Sequence, residues 1–247
     1  MFKNKDMHLK LVEFEMFCLK LLSEKTKLIC YDCVDSKQAT IAALYCRILE
    51  QFNSCLVLGE QELFSSIPIL GRAMCESYMD LKAMISNPDY FEYIAYNTMK
   101  ELIKQLNEAK KYPDNPFAKM LLKKDDVEGL TAEIELQLAK VKKTSKKMSD
   151  RFDTGEVRDE YLLYMLLCSH IHGDLTTLAS RHIEERPDGF HVRFLHDYIN
   201  KESFWPLIYI IGMTIEASET IHTYFNTDYE FKSLKDQLDN ILMETIN

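Results

Sequence analysis

Glycine and proline are scarce. Seven Gly and six Pro in 247 residues are too few turn formers for a β-sandwich, a barrel or a doubly wound sheet, each of which needs many tight turns. Excess positive charge is lacking too: 30 basic against 39 acidic residues leave a net charge of -9. That argues against a surface that coats nucleic acid or anionic lipid as a whole, though a local basic patch is compatible with it. The seven cysteines, at 18, 30, 33, 46, 55, 75 and 168, do not form the dense framework of a small secreted domain and read as reduced thiols. The longest nearly uncharged stretch, Phe204 to Ile215, is too short to cross a bilayer. Glu13, Glu15 and Lys20 interrupt the apolar core that a signal peptide needs. A cytoplasmic chain without membrane partners is therefore expected. No GxGxxG, Walker loop, GxSxG or HExxH is present, which removes the common nucleotide-fold, serine-hydrolase and zincin chemistries.

What is present is helical. A composition of 47% hydrophobic and 28% charged residues is that of a globular chain able to bury a sizeable core. The fold class is read as all-α, a single-domain bundle over 1–247 with its core in 35–225 and about seven or eight helices. Apolar spacing places helices at 7–23, 36–57 after the candidate caps Asp35 and Ser36, and from Ser66 to before Asn87-Pro88 with Pro68 in the first turn. Others follow at 89–111, 131–149, 155–183, 202–226 and 229–245. Pro113, Pro116 and Gly129 mark 112–130 as a long connection with room for a short helical turn. The all-round apolar run Tyr161 to Cys168 predicts a helix at the centre of the bundle. Arg186-Pro187-Asp188-Gly189, flanked by alternating apolar residues, predicts a small β-ribbon or an irregular loop near 183–196. The C-terminal helix, with Phe231, Leu234, Leu238 and Ile241 at coiled-coil-like spacing, is a candidate interface.

Three groups carry candidate chemistry. Arg72 and Glu76 stand one turn apart, flanked by Cys75, Met79 and Ala83, so the pair reads as partly buried: either a structural ion pair or the lining of a ligand cleft. In Ser169-His170-Ile171-His172-Gly173-Asp174, helical geometry sends the two imidazoles to different faces, so no shared metal is expected. His170 aligns with Asp174, a pairing that suits a structural hydrogen bond or an acid/base role. His172 aligns with Ser169 and reads either as a satisfied core histidine or as a reactive one. Lys140, Lys142, Lys143, Lys146 and Lys147 form the basic segment, either a solvated helix face or a phosphate contact. Cys30-x-x-Cys33 and Glu219-x-x-His222 each lack the second half that a zinc or di-iron site requires. No metal and no cofactor is expected.

The stretch Leu70 to Leu81 around Arg72 and Glu76, followed some ninety residues on by Tyr164-Met-Leu-Leu-Cys-Ser169-His-Ile-His172, resembles a bacterial all-helical family known only as a domain of unknown function. That family pairs an R-x-x-x-E helix with a serine-to-histidine helix, and the resemblance spans roughly 35–225. It is similar in style to the HEPN helical domains, many of them metal-independent RNases of toxin–antitoxin and phage-defence systems that use an Arg-x4–6-His motif at a dimer interface. The formal match here, Arg186 to His191, contains a turn and cannot present both side chains on one helix. Arg72 and His172 would rebuild the pair if they met across antiparallel helices. The resemblance implies an RNase acting on RNA, with Arg72, Glu76 and His172 as its machinery and a homodimer as its assembly. The alternative is a non-catalytic interaction or regulatory module, binding a partner protein through the C-terminal helix or the lysine-rich one.

Overall fold

Helix formation begins where a cap meets apolar periodicity. Asp35 sits in extended backbone and its carboxylate accepts the N–H groups of Lys37 and Gln38 at 2.9 and 3.0 Å, starting the second helix at Ser36. The computed structural model describes residues 2–31, 34–122, 127–140, 146–172, 175–192, 201–227 and 229–246, with the backbone alone for 2–6, 171–172, 177, 180–181, 201–204 and 245–246. In chain order the elements are α1 (Phe2–Thr26), α2 (Ser36–Glu60), a 3-10 turn at Phe64–Ser66, α3 (Ile67–Ser86), α4 (Tyr90–Lys111), α5 (Pro116–Leu122), α6 (Val127–Lys140), α7 (Met148–Thr154), α8 (Glu160–His172), α9 (Leu175–His182), β1 (Ile183–Arg186), β2 (Gly189–Val192), α10 (Lys201–Tyr224) and α11 (Lys232–Ile246). The fold is all-α apart from the antiparallel β1–β2 ribbon, in which Ile183 faces Val192 and Arg186 faces Gly189.

The described chain forms two compact units, 1–86 with 151–247 and 87–150. In the larger unit α2 packs on α1, α3 and α10, α3 also packs on α8 and α10, and α11 lies on α1 and α10. Tyr45, Phe52, Tyr78, Ile48 and Ile211 form its fully buried centre. α2 is long and apolar enough to cross a membrane by length and composition, yet its Ile41, Tyr45, Ile48, Leu49 and Phe52 lie in this core. Buried hydroxyls are satisfied: Tyr45 shares a 2.8 Å hydrogen bond with Ser218, and Ser218 and Thr214 each donate to the carbonyl one turn back. In the smaller unit α4 packs on α5 and α6.

Several sequence expectations change. The 112–130 connection is largely helical, because Asn115 caps α5 by accepting the Phe117 N–H at 2.9 Å and Pro116 takes the first helical position, where no N–H is needed. The helix expected at 131–149 begins at Val127 and ends at Lys140, residues 141–145 lie outside the described residues, and Met148 opens the separate α7. The helix expected at 155–183 starts later, at Glu160 as α8, and is followed by α9 from Leu175, with residues 173–174 outside the described residues. Gly155 ends α7 and Glu156 takes a left-handed φ of 59°, while a Cβ on Gly155 would lie 3.0 Å from the Met79 carbonyl, so this glycine lets the chain cross the α3 backbone. α8 is not central either. Tyr164 and Leu167 are buried, but Leu162, Met165 and Leu166 are 62%, 45% and 58% exposed, because α3 is its principal neighbour and covers one face. The sequence places Pro206 in the first turn of the 202–226 helix, but it falls in the second turn of α10 because that helix starts at Lys201.

α3 and α7 are tied by charge. Arg151 Nη2 reaches both carboxylate oxygens of Asp80, at 2.8 and 3.0 Å, with the two side chains only 17% and 15% exposed. Removing one partner takes the nearest counter-charge from the other, so Asp80→Ala is expected to cost about 2–3 kcal/mol in urea denaturation, below the loss for a fully buried pair. The double change Asp80→Leu with Arg151→Met should cost much less; an equal loss in both would assign the effect to packing instead of charge.

Candidate functional site

The R-x-x-x-E turn of α3 faces α8. Arg72 Nη2 lies 3.1 Å from Glu76 Oε1, and the Tyr164 hydroxyl of α8 donates to the same oxygen at 3.2 Å. Arg72 Nη2 is also 3.5 Å from the Tyr164 hydroxyl, and its guanidinium carbon is 5.6 Å from the ring centroid. Tyr164 is placed by aromatic packing: Phe152 of α7 and Tyr161 both hold its ring, at centroid distances of 5.4 and 6.1 Å. The resulting triad is half-open, with the Arg72 and Glu76 side chains 27% and 34% exposed. Arg72 Nε is buried without an acceptor among the described residues, so the guanidinium carries more donors than its described protein partners use.

Electrostatics fix the protonation of this group. Burial pulls the Arg72 guanidinium down, but Tyr164 and Glu76 outweigh it and the net shift is upward, so it stays a cation. Burial, then a hydrogen bond with Cys168, pushes the Tyr164 hydroxyl up to about 12 against the opposing pull of Arg72, which keeps it a neutral donor. Such a cluster can hold an anionic oxygen against a guanidinium whose direction is set by a carboxylate and a phenol.

The other sequence candidates divide. Tyr164, Cys168 and His172 are spaced by four along α8, so their backbone positions share one side of the helix with a drift of about 40° per step. His172 ends α8, two turns beyond Tyr164, and its side chain lies outside the described residues. Ser169 donates to the Leu166 carbonyl at 2.7 Å, and His170 is half-buried on α8; Gly173 and Asp174 lie outside the described residues, and with them the expected His170–Asp174 pair. Lys140 and Lys147 are exposed and Lys146 is half-buried, whereas Lys142 and Lys143 lie outside the described residues. Arg186 and His191 sit on the β-ribbon, engaged by Glu184 at 2.8 Å and Asp188 at 3.0 Å.

Sequence reasoning missed Tyr164 as a site residue because it lies inside an apolar run. The available signal was its place five residues before Ser169 in the same motif. Gly71, which adjoins Arg72, serves packing: a Cβ there would lie 3.1 Å from Ile210 of α10. Glu219-x-x-His222 is likewise structural, with Glu219 paired to Lys235. His222 is buried against Tyr45, Tyr229 and Phe231, and burial, then Lys25, lowers its pKa.

A family of unknown function (DUF5677) matches residues 38–191, well over half of the chain. The chain belongs to this family. The matched region contains both halves of the site, the R-x-x-x-E turn of α3 and the Tyr164-to-His172 segment of α8, and it ends on the β-ribbon before α10. No curated protein and no solved structure matches the chain.

Proposed function

We propose that this member of the family is a HEPN-like helical protein of a bacterial toxin or phage-defence type, cytoplasmic, homodimeric and acting as a metal-independent RNase at the α3–α8 seam. The observation that carries this reading is the half-open guanidinium of Arg72, held by Glu76 and Tyr164, on the helix pair whose second member ends at His172. In the reaction, the ribose 2′-hydroxyl attacks the adjacent phosphorus and gives its proton to His172 as general base. Arg72 binds the phosphorane oxygen as negative charge develops, with Glu76 fixing its direction. The bond from phosphorus to the 5′ oxygen breaks, that oxygen takes a proton from solvent, and the products are a 2′,3′-cyclic phosphate and a 5′-hydroxyl. Lys140, Lys142, Lys143, Lys146 and Lys147 supply phosphate contacts.

Purified protein incubated with single-stranded RNA, with product ends identified by mass spectrometry, tests the reading. Cyclic phosphate ends in the presence of a chelator are the expected result; intact RNA together with harmless overexpression overturns it. A second reading, a non-catalytic interaction module, is supported by the apolar residues left exposed on α8 and by Met243 of α11, 60% exposed. Under it, Arg72 and His172 variants lose stability while cellular function follows changes on the surface helices.

A further inference from the structure

A second site lies on the opposite side of α8. Leu162 and Leu166 stand across that helix from Tyr164, and with α3, α10 and α11 they border a cavity of about 460 Å3. Its walls include Leu163, Leu166, Ile208, Met213, Leu238 and Leu242, and Tyr78, only 1% exposed, lies at its base. The Tyr78 hydroxyl donates to Glu216 Oε2 at 2.7 Å, which fixes one carboxylate at the edge of the apolar space. Asp159, Glu160 and Asp239 add three more carboxylates, and no Lys, Arg or His is among the described lining residues. Lys82 acts on Glu160 from α3 without lining the cavity. The volume falls in the range of small-molecule sites, about 300–1,000 Å3.

Apolar walls favour a hydrocarbon body, and four carboxylates without a lining cation favour positive charge and repel anions. We propose that this cavity binds an amphipathic monocation, a primary ammonium on an aliphatic or aromatic body, with the ammonium at Glu216 and Glu160 and the body among Leu163, Leu166, Ile208 and Leu238. Crowding by Glu216 and Asp159 adds to burial in raising the pKa of Glu160, and a bound ammonium relieves that repulsion. The site shares no residue with the Arg72–Glu76–Tyr164 triad and stands whether or not the protein cleaves RNA. Gly212 on α10 leaves part of the space open: a Cβ there would meet only Leu238, at 3.5 Å.

The chain carries its own reporter, since its single tryptophan, Trp205, lies 6.2 Å from the ring of Tyr209 at the cavity wall. Trp205 emission of the full chain is titrated with n-octylamine, n-octanol and octanoate, which share a chain length and differ in head charge. Saturable binding of octylamine is expected, about tenfold or more tighter than either of the others. Glu216→Gln, an isosteric change at an exposed position, should weaken octylamine about tenfold and leave octanol unchanged, and Gly212→Leu should weaken octylamine by filling the space. Octanol binding as tightly as octylamine, an unchanged affinity in Glu216→Gln, or no saturable response to octylamine would each overturn the proposal.

Discussion

Raising the pH from about 4 to about 9 is expected to remove on the order of 5 kcal/mol of folding stability through one residue, Glu15. Its side chain is fully buried and neither carboxyl oxygen has a hydrogen-bond partner among the described residues. Burial first, and the charge of Glu60 second, push its pKa from 4.5 to about 8. The folded chain therefore holds a proton that the unfolded chain has already released, so stability is complete below the ordinary carboxylate pKa and is lost as pH rises through about 8. At 1.36 kcal/mol per pKa unit, a rise of that size gives the figure above, a large share of the roughly 5–15 kcal/mol that holds a domain together.

Replacement of the carboxyl separates this from the general charge of an acidic chain. Glu15→Leu is expected to have a nearly flat stability profile over that range and to be several kcal/mol more stable than wild type near pH 9, as measured by urea midpoints across pH. Parallel profiles for the two proteins would show that Glu15 does not carry the dependence. The surroundings give an independent sign. Cys18 and Cys55, both buried beside it, have thiols raised by burial and then by the Glu15 charge. Both should therefore stay unreactive toward thiol reagents until the pH-dependent opening begins.

Glu15 also shows where sequence reading stops. In the sequence it is one of three charges that break an apolar run; the fold buries it at the α1–α2 contact with no hydrogen-bond partner among the described residues. Charge type and spacing do not carry that information, because it depends on which face α2 covers. Elements set by local physics were legible: the Asp35 cap, the Pro68 start of α3 and the turn at Pro187-Asp188 that makes the ribbon. Elements set by what packs next door were not. The apolar circumference of Tyr161 to Cys168 is compatible with a central helix, and only the placement of α3 shows that Leu162 and Leu166 stay open. Gly71 adjoins Arg72, yet its need comes from Ile210, far along the chain. In the triad, Arg72 and Glu76 were legible as a pair because they lie one turn apart, whereas Tyr164 joins them across a helix–helix contact.

Arg72→Lys is expected to lower RNA cleavage by about 10²–10³-fold, the scale for loss of a positioned donor to a developing oxyanion, with little change in thermal midpoint. Lysine keeps the charge but not the planar fork that can bind Glu76 and a phosphate oxygen together. Glu76→Gln should act more gently, about tenfold, because it alters the direction of the guanidinium and leaves Tyr164 in place. Its effect should fall on kcat and not on KM, a split that a purely structural residue would not produce. His172→Ala removes the proposed base: a loss of about 10²–10⁴-fold is expected. A structural role predicts the reverse ordering, with thermal midpoints falling in all three variants and cleavage per folded molecule unchanged. Folded Arg72→Lys protein that cuts RNA at the wild-type rate would leave the triad as a helix clamp and remove the α3–α8 seam from the chemistry.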